Sequence, residues 1–346
     1  MATYQTLLLT SLSLLGFYAV WGVMYLNSAL PLLLTSALAG THPQPSRPLV
    51  ASYTGFLPLD LPLRILVLFF DSLLATGPDP APYLILLELV STLLVINTMV
   101  LAESRRRHAS SWSPALWQYA WNCAGVAVFL PLWVLGYVAA EGGAGAKPIP
   151  AAEARAVPYT AAWGLVLMLP LMAPTVLGAG PEVVQWGVVG FFVTPALFVW
   201  FHRAVVARGK VGGKGRAAPV RLAYGLVGAV GAAVHIGTVC YAVWGKGGGW
   251  ERVYWPRQGA LPAGGVLTEG AMLFIQYDYV LMSLVIGILG FHVLCLEPVG
   301  SAESRTRGGQ FLFFVVVSAL LGPGAGLAYV MAKKERRLES VQRAER

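Results

Sequence analysis

The amino-acid sequence predicts an all-α fold, a polytopic transmembrane helical bundle of eight to nine helices that forms one integral-membrane domain over residues 1–346. Of the 346 residues, 57% are apolar and 12% are charged, and the mean hydropathy is +0.66. Soluble domains carry about 25% charged and about 45–50% apolar residues. The composition therefore excludes a soluble globular protein and a disordered chain, and a bilayer-spanning protein remains.

Nine apolar stretches define the predicted elements, since a helix that crosses a bilayer needs about 17–25 apolar residues. They lie at 7–26, 57–75, 81–101, 117–138, 160–178, 183–201, 221–243, 271–294 and 311–331. The second stretch is ambiguous as a crossing. The first has no charged residue before it, unlike a signal peptide, and is interpreted as a retained anchor. Between the stretches, segments rich in glycine and proline predict loops.

The formal charge of +8 lies in the predicted loops and the C-terminal tail. This distribution favours contact with anionic membrane lipid and not with nucleic acid. With nine crossings, the basic residues outside the stretches divide thirteen to ten between the two sides, which slightly favours a cytosolic C-terminus. We expect an integral membrane protein of the endoplasmic reticulum. The sequence leaves its oligomeric state open.

Ionisable residues inside apolar stretches indicate function, because they are costly in a membrane. The first group is Asp60, Arg64 and Asp71, which the spacings i, i+4 and i+11 place within about 40° of one another on a helical wheel. In one interpretation Arg64 holds one carboxylate while the other carboxyl stays protonated and acts as an acid. In the alternative, 57–75 is an interfacial helix whose charged face meets water.

Two glutamates belong to the stretch at 81–101 and its end. Glu88 lies within LILLELVSTLLV, where a carboxyl should be neutral or paired because burial disfavours its charge. A structural hydrogen bond between helices is the alternative for Glu88. Glu103 precedes three consecutive arginines, and its alternative is a solvated boundary residue at the membrane surface.

Asp278 is the strongest single candidate for catalysis. It lies in an otherwise apolar stretch, with Gln276 and Tyr277 beside it. A proton-transferring carboxyl needs an apolar wall to keep it neutral and an amide or phenol to orient it. The alternative is a structural hydrogen bond.

Amides and indoles cluster in the stretch at 117–138. Trp117, Gln118, Trp121 and Asn122 form two i, i+4 pairs, which would present polar groups towards a cavity. His235 and His292 stand alone in their stretches and are interpreted as structural core residues.

The sequence contains no DDxxD-type motif, and no two aspartates lie closer than eight residues apart. Metal-assisted ionisation of a diphosphate needs clustered carboxylates and is therefore disfavoured. The GxSxG, HExxH and P-loop motifs are absent as well. We expect no metal site and no cofactor.

With these residues the chain resembles the fungal integral-membrane terpene cyclases of meroterpenoid pathways and the related membrane epoxide-opening enzymes of polyketide pathways. The resemblance rests on Tyr53-x-Gly55 followed by Asp60 and Phe69-Phe70, on Glu103-x-x-Arg106, and on Phe274-x-Gln276-x-Asp278. It implies that a carboxylic acid protonates an epoxide or alkene of a lipophilic prenyl substrate and that ring closure follows. It also implies Asp278 as the acid or its partner, Asp60 and Glu103 as further carboxyls, and Gln276 as an orienting amide.

The predicted catalytic residues are therefore Asp278, Asp60, Glu103 and Glu88. The residues predicted to contact the substrate are Gln276, Tyr277, Arg64, Asp71, Tyr53, Asn122, Gln118 and Trp121.

Two other functions stay open. The acid could open a polyketide epoxide with water or an internal hydroxyl as the nucleophile. Alternatively, Asp60, Arg64, Asp71, Glu88 and Asp278 could form the proton path of a small transporter. Inverted repeats would favour a transporter, and none is evident in the sequence.

Overall fold

The computed structural model describes residues 2–44, 46–75, 79–107, 109–141, 148–209, 217–245, 249–257, 265–296 and 307–344. These residues form thirteen α-helices and two π-helical turns without a strand, so the predicted all-α class is confirmed. The helices are α1 (Ala2–Phe17), α2 (Val23–Leu26), α3 (Ala29–Ala39), α4 (Leu57–Leu74), α5 (Ala81–Arg106), α6 (Ser113–Ala124), α7 (Val126–Glu141), α8 (Ala151–Val176), α9 (Pro181–Arg208), α10 (Ala217–Trp244), α11 (Trp250–Tyr254), α12 (Val266–Phe291) and α13 (Arg307–Ala344), and the π-helical turns are Tyr18–Gly22 and His292–Leu296.

Among the described residues, seven helical segments are long and apolar enough to cross a membrane. They are Tyr4–Leu26, Ala81–Arg106, Ala151–Val176, Pro181–Arg208, Ala217–Trp244, Val266–Cys295 and Arg307–Ser340. This set is compatible with an integral membrane protein. The predicted number of eight to nine crossing helices is not confirmed.

Side-chain contacts define two ends of the bundle. At the first, Oε2 of Glu153 lies 2.7 Å from Nε2 of His202, which joins the start of α8 to the end of α9. At the same end Nζ of Lys334 lies 3.4 Å from Oε2 of Glu103, which joins α13 to the end of α5. We call this the basic end.

At the opposite end, the loop end, Arg252 of α11 holds Asp79 at 2.7 Å and Glu269 at 2.6 Å. These contacts gather the starts of α5 and α12. Gln185, near the start of α9, accepts a hydrogen bond of 2.9 Å from the backbone N–H of Val50 in the segment before α4.

The predicted crossing at 117–138 is wrong, because the chain turns back at Gly125. This glycine has φ 99° and ψ 138°, outside the helical region, and it separates α6 from α7. The side chain of Arg107, just after α5, donates a hydrogen bond of 3.0 Å to the carbonyl of Tyr137 in α7. The start of α6 and the end of α7 therefore both lie at the basic end. The tip of this α6–α7 hairpin lies inside the bundle.

The predicted crossing at 311–331 is also wrong, because a glycine with non-helical backbone angles interrupts the helix. Gly322 has φ 87° and ψ 158°, and Pro323 follows it inside α13. The ring centroids of Phe313 and Tyr329 are 5.1 Å apart, whereas sixteen residues of straight helix would separate them by about 24 Å. The chain therefore folds into a second hairpin, which also enters from the basic end.

The ambiguous stretch at 57–75 forms α4, which is not among the seven apolar segments. The loop before α4 is held near the start of α9 through Gln185. At the other end of α4, the carbonyl of Leu74 accepts a hydrogen bond of 3.3 Å from Thr175, near the end of α8. Since α8 ends where α9 starts, both ends of α4 lie at the loop end. The helix lies across that end, as in the interfacial alternative.

Within the described residues, six segments thus run from one end of the bundle to the other. The first of them, Tyr4–Leu26, contains a π-helical turn. It starts at the basic end, where Nε2 of Gln5 lies 3.4 Å from Nδ1 of His292. The remaining five are α5, α8, α9, α10 and α12.

Candidate active site

An apolar chamber lies between α4 at the loop end and the tip of the α6–α7 hairpin. Its empty space is about 610 Å³ when the opening to the outside is included, and about 70 Å³ of it admits the centre of a water-sized molecule. Its lining residues come from seven parts of the chain: Trp21, Leu33, Ile65, Leu66, Phe69, Phe70, Leu86, Leu89, Val90, Leu93, Trp121, Asn122, Cys123, Gly125, Phe191, Phe274, Ile275 and Asp278.

Asp278 lies midway along α12, on the wall of this chamber, and is 2% exposed. Its Oδ2 accepts a hydrogen bond of 3.1 Å from the backbone N–H of Val126, and its Oδ1 accepts one of 2.6 Å from Ala127. These two residues begin α7. The first N–H groups of a helix have no partner within the helix and attract an anion. The hairpin tip therefore stabilises the carboxylate form of Asp278.

Gly125 makes this contact possible in two ways. Its positive φ of 99° is readily adopted by glycine. A Cβ atom at this position would lie 3.0 Å from Oδ1 of Asp278. The indole N–H of Trp21 donates a hydrogen bond of 2.9 Å to the carbonyl of Ala124, which ends α6. The hairpin tip is thus held from both sides.

Aromatic rings line the same chamber as Asp278. The ring centroid of Phe274 lies 5.2 Å from that of Trp21 and 5.1 Å from that of Phe69, and both pairs are edge-to-face. Phe70 continues the chain of rings at 5.2 Å from Phe69. Ring faces attract cations when water is excluded, by about 2 kcal/mol or more. This wall can stabilise positive charge without reacting with it.

Glu88 lies outside the chamber, in a separate polar cluster between α5, α10, α11 and α12. Its Oε1 lies 2.9 Å from Nδ1 of His235 and accepts a hydrogen bond of 2.7 Å from the hydroxyl of Tyr254. Its Oε2 lies 3.5 Å from the hydroxyl of Tyr279. Glu88 is therefore a paired glutamate, and His235 is its partner.

Asp60 also lies outside the chamber and organises the loop before α4. Its carboxylate accepts hydrogen bonds from the hydroxyls of Ser52 at 2.5 Å and Thr54 at 2.8 Å, and from the backbone N–H groups of Tyr53 and Thr54. The hydrogen bond from Ser52, assisted by those from Thr54 and Tyr53, lowers the pKa of Asp60 to about 2. The carboxyl is therefore ionised at neutral pH.

The expected group of Asp60, Arg64 and Asp71 does not form. Arg64 donates to the carbonyl of Ala51. Asp71 is instead held by Arg47, through bonds of 2.9 and 2.6 Å, and lies 3.3 Å from Nε2 of His42. Burial raises the pKa of Asp71, but the hydrogen bonds from His42 and Arg47 outweigh it and leave the pKa below its ordinary value. The preceding loop supplies partners that the helical wheel cannot show.

Glu103 belongs to a buried ionic cluster at the basic end. Its carboxylate lies 3.4 Å from Arg106 and 3.4 Å from Lys334, and Arg106 also pairs with Glu335 of α13. These charges link α5 to the second limb of the α13 hairpin. Of the four predicted catalytic carboxyls, Asp278 is the one that lines the chamber.

Two residues expected to bind substrate hold loop segments instead. The amide of Gln276 donates hydrogen bonds of 2.9 and 3.0 Å to the carbonyls of Arg252 and Val253, which fixes α11. The hydroxyl of Tyr53 lies 3.2 Å from Oε1 of Gln185. Neither side chain lines the chamber.

The remaining expected contacts divide between two cavities. Trp121 and Asn122 line the chamber, whereas Tyr277 is half-buried against the core. Gln118 lines a second, smaller cavity, in which about 30 Å³ admits the centre of a water-sized molecule. Four residues line both spaces, namely Val90, Leu93, Asn122 and Phe191.

Comparisons with known proteins cover almost the whole chain. A protein named terpene cyclase DEP1 from Fusarium langsethiae is 26% identical over 356 residues, which span 94% of this chain and 97% of the relative. A protein of the same name from Alternaria brassicicola is 26% identical over 361 residues, with the same coverage of 94% and 97%. No solved structure matches. The resemblance to fungal terpene cyclases is confirmed. The CtvD domain family matches residues 4–338, and the chain belongs to this family.

Proposed function

We propose that the protein is a membrane-embedded terpene cyclase that uses Asp278 as its catalytic acid. The observation that carries this proposal is the position of Asp278, a buried carboxyl on the wall of an aromatic chamber. Among the described residues that line the chamber, Asp278 is the only acidic or basic side chain. The two relatives named terpene cyclases support the reaction class.

The proposed reaction begins with a protonated Asp278, which burial in an apolar chamber favours. The acid gives its proton to the epoxide oxygen of a prenyl chain, the C–O bond breaks, and a neighbouring alkene attacks the cationic carbon. The N–H groups of Val126 and Ala127 stabilise the carboxylate left behind. Loss of a proton from the final cation to this carboxylate restores the acid and makes the overall reaction an isomerisation.

The surface of the crossing helices supports a membrane location. Large apolar side chains face outwards on these helices, such as Leu14 at 67%, Leu169 at 54% and Leu222 at 67% exposure. Contiguous exposed apolar surface is costly in water and suits contact with lipid. A hydrocarbon-rich substrate would be concentrated in the same bilayer.

The test is an Asp278→Asn variant in membranes supplied with an epoxyfarnesyl phenol, with cyclic products measured by mass spectrometry. We expect product formation to fall by about 10²–10⁴-fold, the contribution of a positioned general acid. Glu182→Gln is the matched control, because Glu182 is an exposed carboxyl at the start of α9. It should retain wild-type activity.

Unchanged activity in a folded Asp278→Asn protein would overturn the assignment of the acid. An uncyclised diol as the wild-type product would instead support the epoxide hydrolase alternative. Monodispersity in detergent and the thermal midpoint show whether the variant is folded.

A further inference from the structure

The residues that line the chamber differ in their exposure to the outside of the protein. Of the eighteen described lining residues, thirteen are buried and five are not. Cys123 is exposed, and the other four, which are half-buried, are Trp21, Ile65, Leu66 and Asn122. They belong to the first crossing segment, to α4 and to α6. The chamber therefore opens sideways between these three elements, and we call this gap the side opening.

The outer surface around the side opening is apolar on both α6 and α4. Leu116 precedes Cys123 by seven residues, which places both side chains on one face of α6, and Leu116 is exposed. On α4, Leu59 precedes Leu66 by the same spacing and is also exposed. Apolar side chains that face outwards around a cavity indicate contact with another apolar phase.

The first crossing segment continues this apolar surface. Tyr18 and Tyr25 lie about one turn before and after Trp21, and both rings are exposed. The indole N–H of Trp21 already donates to the carbonyl of Ala124. None of the five described residues at the side opening is charged, and Asn122 supplies the one amide among them.

The side opening lies at the depth of the lipid chains. Helix α6 starts at the basic end, and Cys123 follows Ser113, its first residue, by ten residues. Ten residues of helix span about 15 Å, which is half of the ~30 Å hydrocarbon core of a bilayer. Helix α4 lies across the loop end. The gap between Cys123 and α4 therefore faces the half of the membrane on the side of the loop end.

We propose that hydrocarbon molecules pass between the bilayer and the chamber through the side opening, with Cys123 at its edge. The proposal rests on the membrane location given under the proposed function, but it does not require Asp278 to act as an acid. A hydrocarbon chain that moves from acyl chains through this apolar rim to the aromatic wall loses no hydrogen bonds. A charged molecule would cross the same rim without partners, which is costly.

The first test asks whether lipid or water borders the side opening. The chain has three cysteines, so Cys240→Ser together with Cys295→Ser leaves Cys123 as the only thiol. A bimane fluorophore is attached to this thiol in detergent, and the protein is returned to a bilayer. Bromine atoms on the acyl chains of the lipid should quench the fluorophore, whereas aqueous iodide should not. Quenching by iodide as strong as that by brominated lipid would overturn the proposal.

Glu182→Cys is the matched control for this measurement, in a chain whose three native cysteines are replaced by serine. Glu182 is exposed at the start of α9, at the loop end. A bimane at this position should be quenched by iodide and not by the brominated acyl chains.

The second test narrows the side opening with a larger side chain, in Cys123→Trp. Leu116→Trp is the matched control, because Leu116 lies on the same face of α6 but does not line the chamber. A saturated farnesyl chain that carries a diazirine is added to the membranes, which are irradiated after increasing delays. Labelling of Phe274 and Ile275, two buried residues of the chamber wall, reports entry. It should be at least about tenfold slower in Cys123→Trp, because displacing a crowded side chain raises the barrier, and unchanged in Leu116→Trp.

The level of labelling at long delays separates passage from binding. A narrowed opening slows entry and exit alike, so Cys123→Trp should reach the final level of the wild type. A lower final level at the wild-type rate would make Cys123 part of the binding wall alone and overturn the proposal, as would equal labelling of both proteins at every delay.

The same probe separates the side opening from the proposed catalysis. Because a saturated chain has no group to protonate, Asp278→Asn should be labelled at the rate of the wild type. Slower labelling in Cys123→Trp, in a protein that forms no cyclic product, would support the side opening while the proposed catalysis fails. Unaltered labelling in Cys123→Trp would overturn the side opening even if cyclisation is observed.

Discussion

A Cβ atom on Gly125 would lie 3.0 Å from Oδ1 of Asp278, closer than a side-chain carbon and a carboxylate oxygen normally approach. The glycine at the hairpin tip and the carboxyl in the middle of α12 therefore depend on each other. The tip supplies two N–H donors to the carboxylate, and the missing side chain leaves room for it.

Gly125→Ala tests this dependence. The positive φ of 99° disfavours alanine, and the added methyl group displaces the carboxyl, so we expect a loss of about 1 kcal/mol or more in stability. Activity should fall as well, because Asp278 loses its position. Gly136→Ala is the control, since a Cβ atom at Gly136 meets nothing within 4 Å. Thermal unfolding and cyclisation rates measure both effects, and equal behaviour of the two variants would contradict this account.

Glu88 should contribute to stability and not to proton transfer, because its carboxylate is occupied by His235 and Tyr254. Glu88→Gln keeps an acceptor in place and should retain most of the activity. Glu88→Leu leaves both partners without an acceptor. It should lower the free energy of unfolding by about 1–3 kcal/mol for each unsatisfied group. Urea unfolding together with product assays distinguishes the two variants. A loss of activity in Glu88→Gln as large as that in Asp278→Asn would contradict this expectation.

Asp60 should make stability depend on pH in the acid range. Its pKa is lowered from 3.8 to about 2 in the fold by its hydrogen bonds from Ser52 and Thr54, so its carboxylate stabilises the folded state fully above the unfolded pKa. That contribution is lost as the pH falls through the folded pKa. Asp60→Asn should therefore be less stable than the wild type at pH 7, and the difference should shrink below pH 4. Thermal midpoints measured across this range provide the check, and a constant difference down to pH 2 would refute it.

The orientation in the membrane follows from the distribution of basic residues between the two ends. Among the lysines and arginines whose side chains are described, twelve lie at the basic end and four at the loop end. Those at the basic end are Arg105, Arg106, Arg107, Arg155, Arg203, Arg208, Arg221, Arg307, Lys333, Lys334, Arg336 and Arg337, and those at the loop end are Arg47, Arg64, Arg252 and Arg257. The positive-inside rule therefore predicts that the basic end faces the cytosol.

Tags at the two chain termini test this orientation. Because the first and last described helices both reach the basic end, both tags should be digested by protease added to intact microsomes. Protection of one tag would contradict the six crossings, and protection of both would reverse the orientation. A fluorescent fusion tests the expected endoplasmic reticulum location.

The sequence singles out Asp278 because a carboxyl in an apolar stretch is conspicuous, and the structure places it, buried, on the chamber wall. The chamber wall could not be predicted, since Trp21 and Phe191 resemble any other apolar residue of a crossing helix. Gly125 carries no signal either, because residues on both sides of it are apolar and helix-compatible. Gly322 is a clearer signal of a helix break, because a Gly-Pro pair often ends a helix. The length of the surrounding apolar stretch nevertheless favours one crossing.

The charges of α4 pair with residues outside that helix. Periodicity correctly places Asp60 and Asp71 on a helix, but it describes neighbours within that helix alone. Their partners, Ser52 and Arg47, come from the preceding loop, whose path depends on tertiary packing. The spacing of the charges therefore predicts a contact between Arg64 and a carboxylate of the same helix. In the structure the loop residues bind both carboxylates.

The π-helical turn at His292–Leu296 has a consequence for biosynthesis. Arg337 donates a hydrogen bond of 3.0 Å to the carbonyl of Val293, and Arg307 donates one of 2.9 Å to that of Cys295. Chains emerge from the ribosome from the N-terminus, so Arg337 appears only after the helices around α12 have been synthesised. The contact between the last part of α13 and this turn can therefore form only after the helices that enclose the chamber have been translated.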